Sequence, residues 1–249
     1  MPMPARNKTT AAGNAYTTYV MGVDGCRAGW AVVQINLCDN SVSGFIVERF
    51  DAVLKLNAAM TIVDMPIGLA DAGRRHCETL ARQKLTPGRM SSVFSSPRRP
   101  MLNFETYAEA NAWGKAQQQK GGLSKQAWMI APKIREIDAA ITPDDQARLG
   151  EGHPEVAFAR LKGGPCTHPK RKKEGERERL TLLERAGINN AEDIYQALRA
   201  GHGAKAIARD DVYDACVLAL TAKARLANTA WRLSDDARDA RGLVMEIWG

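Results

Sequence analysis

The stretch Thr61-Ile62-Val63-Asp64-Met65-Pro66 decides how the chain reads. Three β-branched residues in succession favour an extended strand, and Pro66 stops it. Asp64 places an acid at the end of a run that otherwise suits a buried strand. Upstream, residues 19–23 form a second apolar run, and it too ends on an acid, in Asp24-Gly25.

Between these runs lie two more β-rich segments, 30–37 and 42–47, separated by the turn pair Asp39-Asn40. Their spacing predicts an antiparallel meander. Residues 50–59 carry apolar side chains at helical spacing and predict a crossover helix. The order is therefore β-β-β-α-β, an α/β chain with a mixed sheet. Beyond Pro66 the pattern turns helical, at 74–84, 104–119 and 125–140. A loop rich in Ser, Pro and Arg occupies 87–100, and Gly121-Gly122 parts the last two helices. These elements predict a helical insertion over residues 66–148, after strand four. Residues 149–156 predict a strand leading into a helix. Further helices follow: one whose exposed, mixed-charge start is 170–179 and which runs on to 185, a short one at 191–200, and a late C-terminal one at 210–227. Residues 243–248 predict a terminal strand.

The 249 residues allow one large or two small domains. The continuous pattern favours one, over residues 19–249, after a disordered extension at 1–18. Apolar residues make up 45% and charged residues 25%, which suits a soluble globule rather than a disordered chain. No apolar run reaches the ~20 residues of a spanning helix, so no membrane partner is expected. Five scattered cysteines without metal-ligand spacing read as free thiols of a reducing, cytoplasmic compartment. The net charge is +7. Its excess is concentrated: residues 65–100 hold 7 basic and 2 acidic side chains. That layout permits an anionic partner.

Asp211 and Asp214 stand three apart at the start of the late helix and so share a face. If strands one and four are sheet neighbours, their ends lie about 5 Å apart. The late helix then adds its acids to Asp24 and Asp64. Four such carboxylates repel unless protonated or neutralised by a hard cation. Mg²⁺ or Mn²⁺ prefers these oxygen ligands, and two ions about 3.5–4 Å apart can drive phosphodiester hydrolysis. Each acid also has a plain structural reading: Asp24-Gly25 is a common turn pair, and Asp210 or Asp211 suits a helix cap.

Glu151-Gly152-His153-Pro154-Glu155 adds two acids and a histidine within five residues. Glu155 is a candidate fifth ligand or base, or a favourable first-turn acid. His153 is a candidate proton shuttle or phosphate contact. Arg89, Ser91, Ser92, Arg98 and Arg99 suit an anion-binding loop, since Arg forks match phosphate. Arg27 and Lys133 extend this candidate substrate-binding set. Lys170-Arg171-Lys172-Lys173 reads as a nucleic-acid patch or, with Glu174, Glu176 and Glu178 following, as a solvated helix start. Trp113 and Trp128 read as core residues or as base-stacking platforms.

The chain resembles the DUF429 family, described as predicted nucleases of the RNase H-like fold. The resemblance rests on Val23-Asp24-Gly25-Cys26-Arg27-Ala28-Gly29-Trp30 and Val63-Asp64-Met65-Pro66-Ile67-Gly68-Leu69. It continues through Ser91-Ser92-Val93-Phe94, Pro132-Lys133-Ile134, Glu151-Gly152-His153-Pro154-Glu155-Val156-Ala157-Phe158 and Asp210-Asp211-Val212-Tyr213-Asp214-Ala215. It implies an RNase H-like mixed sheet whose acids come from strand one, strand four and a late helix, matching Asp24, Asp64 and Asp211/Asp214. It also implies Mg²⁺ or Mn²⁺ and a nucleic-acid partner. The late Asp-x-x-Asp is similar to that of RuvC-type resolvases, whereas the first-helix acid of ribonuclease H has no counterpart. Two rivals share the pattern. One is an ATP-dependent phosphotransferase of the related actin-like or sugar-kinase fold, although no Ser/Thr pair follows Asp24-Gly25-Cys26-Arg27. The other is a non-catalytic nucleic-acid-binding scaffold.

Overall fold

A computed structural model describes residues 18–117 and 122–249. Apart from Thr18, the expected extension at 1–18 lies outside the described residues. Strands β1 (Tyr19–Cys26), β2 (Gly29–Asn36) and β3 (Val42–Val47) pair antiparallel in succession, as the meander pattern predicts. Helix α1 (Phe50–Lys55) leads to β4 (Met60–Val63), which lies parallel to β1 with Val63 level with Val23. Strand β5 (Leu149–Glu151) pairs parallel to β4, with Glu151 level with Val63. The result is a mixed five-stranded sheet in the order β3-β2-β1-β4-β5.

Between β4 and β5 run α2 (His76–Lys84), α3 (Tyr107–Ala116), α4 (Lys125–Met129) and α5 (Ala131–Ala140). After β5 come α6 (Pro154–Lys162), α7 (Lys173–Arg185), α8 (Ala191–His202) and α9 (Arg209–Leu226). The chain closes with a hairpin of β6 (Arg232–Arg238) and β7 (Val244–Trp248).

Successive side chains of a strand face opposite ways, and both faces of this sheet are covered. Val20, Val33, Ile35 and Ile62 pack under α9, with α6, α7 and α8 around it. Met21, Val23, Val32 and Val63 pack on the other side with Phe50, Val53, Ile134 and Ile137. Each fully buried aliphatic side chain contributes about 1.5–3 kcal/mol. Gly22 sets how close α9 comes. A Cβ there would overlap the Ala215 carbonyl oxygen and the Ala219 nitrogen, so the helix rests on β1 backbone against backbone.

Several expected boundaries shift, for physical reasons. The helix expected over 125–140 is two, α4 and α5, because Pro132 has no amide hydrogen and is tolerated only in a first turn. The crossover helix is shorter than expected, stopping at Lys55 ahead of Asn57, whose φ is 51°. The mixed-charge helix begins at Lys173, not at 170. Strand β6 carries no clear sequence signal: of Arg-Leu-Ser-Asp-Asp-Ala-Arg only Leu233 is buried, and the charges mask any alternation. Trp113 and Trp128 pack with Phe104 and Tyr107 beneath arginines, the core reading of the two. Among the described residues no helix is long and apolar enough to cross a membrane.

Replacing Gly22 by Ala should push α9 off β1. We expect a loss of about 1–3 kcal/mol, seen as a lower urea midpoint at unchanged slope. An unchanged midpoint would show that the helix does not rest there.

Candidate metal centre

Strand register builds the first half of the centre. Asp24 lies near the end of β1, and Asp64 follows β4 directly. The Asp64 amide donates to the Val23 carbonyl at 2.9 Å, so the parallel ladder extends to the acids themselves. The second half comes from α9. Asp214 precedes Ala215, the residue seated over Gly22, and is fully buried. One carboxylate oxygen each from Asp24, Asp64 and Asp214 falls within a mutual 4.8 Å.

Burial and mutual repulsion act on these acids together. Burial, then the neighbouring Asp64 and Asp214 charges, hold the Asp24 carboxyl well above the ordinary carboxylate range. Burial and Asp214 push Asp64 up to about 8. Asp214 is also raised, by burial, although Lys170 opposes the shift. The Lys170 Nζ donates to Asp214 Oδ2 at 2.6 Å and lies 3.3 Å from Asp210 Oδ2. Burial pulls the Lys170 ammonium down, but Asp214, Asp24 and Asp210 outweigh it and raise it overall. Asp214 Oδ1 is buried with no hydrogen-bond partner. An all-oxygen set with such an orphaned atom fits a hard divalent cation.

The triad lines a cavity of about 580 Å³. Asp211 lines it too, but outside the triad. Its Oδ2 accepts the Ala208 amide at 2.8 Å, satisfying a free donor at the start of α9, and burial raises it to about 6. Glu155 also lines the cavity, yet it is buried in the first turn of α6 and ion-paired with Arg179 through Oε1. Its Oε2 is buried without a hydrogen-bond partner, and Glu155 lies outside the 4.8 Å cluster of the triad. His153 sits on the wall with Nε2 3.4 Å from the Ser92 carbonyl and Nδ1 unpartnered. Burial lowers its pKa and keeps the ring neutral.

The basic loop divides. Arg89, Ser91 and Ser92 line the cavity. Arg89 Nε donates to the Cys166 carbonyl at 3.1 Å, bracing the segment that leads to Lys170. Arg98 and Arg99 do not line it, which corrects their expected place beside the phosphate. Arg98 is buried, donating to the Gly114 carbonyl over the Trp113 ring, and Arg99 is ion-paired with Asp138 and Asp239. Arg27 and Lys133 line a separate depression that meets the cavity at Gly25, Met65, Met129 and Ile130. There the Lys133 Nζ donates to the Gly29 carbonyl at 2.5 Å.

Lys170 is the cavity side chain whose place the sequence obscures. Its run of four basic residues followed by acids reads as a solvated helix start, yet α7 begins only at Lys173 and Lys170 turns inward. Glu151, level with Val63 on β5, likewise belongs to the cleft wall. It accepts the Ile67 amide at 2.7 Å and Arg75 at 2.5 Å, and burial, opposed by Arg75, raises it to about 7.

The chain matches the model of a protein family of unknown function, DUF429, over residues 22–239. It belongs to the DUF429 family. That span contains all three triad acids and ends with β6, before β7. No curated protein and no solved structure matches the DUF429 chain.

The raised acids set a pH dependence. In the folded chain Asp64 titrates at about 8 instead of the ordinary 3.8, so the folded state holds the extra proton. Stability from such a group is complete below the unfolded pKa and is lost as pH rises through the folded one. The melting temperature of metal-free protein should therefore fall from about pH 4 to about pH 8, Mn²⁺ should reduce the fall, and Asp64→Asn should make it shallower. A flat wild-type profile would contradict the buried-acid geometry.

Proposed function

We propose that this DUF429 chain is a divalent-metal-dependent nuclease, hydrolysing nucleic-acid phosphodiester bonds on an RNase H-like fold. The single observation that carries the reading is the convergence of Asp24, Asp64 and Asp214 within 4.8 Å at the cavity. The β-β-β-α-β order and the parallel β1–β4 pair support the fold assignment, as does the origin of the acids in β1, the end of β4 and a late helix.

Asp24, Asp64 and Asp214 would hold Mg²⁺ or Mn²⁺ through oxygen alone. Such an ion supplies Lewis-acid polarisation and a water of lowered pKa. Arg89, Ser91, Ser92 and Arg171 line the cavity and would orient the phosphate backbone across it. The neutral His153 on the same wall is suited to accept a proton from water. Lys170 would offset negative charge building at the phosphate. The phosphotransferase alternative draws less support, because no Ser/Thr pair follows Asp24-Gly25-Cys26-Arg27.

A panel of single-stranded, double-stranded and branched DNA and RNA, incubated with Mg²⁺ or Mn²⁺, tests the reading. Wild type should cleave at least one substrate. Asp64→Asn should lower that rate at least about 100-fold, the scale of losing one transition-state stabiliser. Intact substrates throughout, or equal cutting by the variant, would sink it.

A further inference from the structure

We propose that Lys170 occupies the place of a second metal ion, so that the centre binds one divalent cation beside a built-in ammonium. This rests on the metal-binding part of the reading above and is independent of the substrate. Two-ion centres hold their ions about 3.5–4 Å apart between bridging and terminal carboxylates. Here the acids beyond the triad are each engaged through at least one oxygen. Asp210 lies 3.3 Å from Lys170, Asp211 accepts the Ala208 amide, and Glu155 gives Oε1 to Arg179 and, though its Oε2 is unpartnered, lies outside the 4.8 Å cluster. Within the triad, Asp214 gives Oδ2 to Lys170 at 2.6 Å and keeps Oδ1 unpartnered. What remains — Asp24, Asp64 and one oxygen of Asp214 — suffices for one hard cation whose shell is completed by water.

The segment carrying Lys170 is anchored at every step. Arg89 holds the Cys166 carbonyl at 3.1 Å. Glu178 accepts the Thr167 and His168 amides at 2.8 and 2.9 Å, and Arg179 Nη1 donates to the His168 carbonyl at 3.2 Å. Gly175 of α7 lacks the Cβ that would overlap the Pro169 carbonyl. A free lysine gives up about 2 kcal/mol of rotamer entropy when fixed, and an incidental surface contact would not come with this bracing. The ammonium is a compact point charge with no acceptor of its own. It can neutralise carboxylates and phosphate oxygens as a second ion would, but it cannot activate water. That leaves water activation to the single metal and charge stabilisation to Lys170.

Calorimetry and electron paramagnetic resonance on the full chain with Mn²⁺ test this without any cleavage assay. Wild type should bind one Mn²⁺ per chain with the spectrum of an isolated ion. Lys170→Ala should bind two and show the spectrum of a coupled pair. Lys170→Arg keeps the charge and should bind one. Thermal melts would confirm that the variants fold, and Lys170→Met serves if the alanine variant does not. Two ions in wild type, or one or none in folded Lys170→Ala, would overturn the proposal. One ion in wild type and two in the variant, with no substrate cut, would uphold it and count against the nuclease alone.

Discussion

Helix α9 lies on β1 without a side chain between their backbones at Gly22, and the rest of the molecule follows from that contact. Side chains normally hold a helix off the sheet it covers. Here the approach is closer, and Asp214, adjacent to the contact, arrives beside the strand-end acids instead of above them. The same helix is the element around which α6, α7 and α8 pack. Cover for the sheet and the third arm of the acid triad are thus one structural decision.

That closeness creates an electrostatic problem, and the cleft wall shows how it is met. Seven carboxylates line the cavity: Asp24, Asp64, Glu78, Glu151, Glu155, Asp211 and Asp214. Buried charges are tolerated when each has a partner, and removing one partner is strongly destabilising. Arg75 lies between Glu151 and Glu78, and Arg179 takes Glu155. Asp24, Asp64, Asp211 and Asp214 have no guanidinium partner among the described residues, and the ammonium of Lys170 stands against Asp214. The fold pairs off its structural acids and leaves the deficit where a cation is useful.

Much of this was legible in the sequence, for physical reasons. Asp24 and Asp64 stand out because an acid ending an apolar strand has no packing role, and the meander spacing correctly placed three antiparallel strands. Asp214 was legible through its spacing from Asp211, but the spacing alone could not divide their duties: a carboxylate three residues into a helix serves equally as cap or ligand. Arg98 and Arg99 were misplaced because density of charge in a loop says nothing about direction, and their guanidinium groups turn inward to a carbonyl and to two aspartates. Lys170 was hidden by its basic neighbours, since its inward turn depends on contacts with α6 and α7 rather than on any local pattern. Strand β6 was hidden because a hairpin strand with one buried side chain has almost no apolar signature.

The triad draws its members from opposite ends of the chain, and this bears on the molecule during its own synthesis. About 150 residues separate Asp64 from Asp214, on the order of ten seconds of elongation at ordinary ribosomal speed. Until α9 emerges, the face of β1 and β4 that it covers has no lid, and Val20 and Ile62 stand open to other chains. The nascent protein therefore lacks the assembled acid triad and is at its most adhesive over the same interval. Both conditions end together when one helix docks.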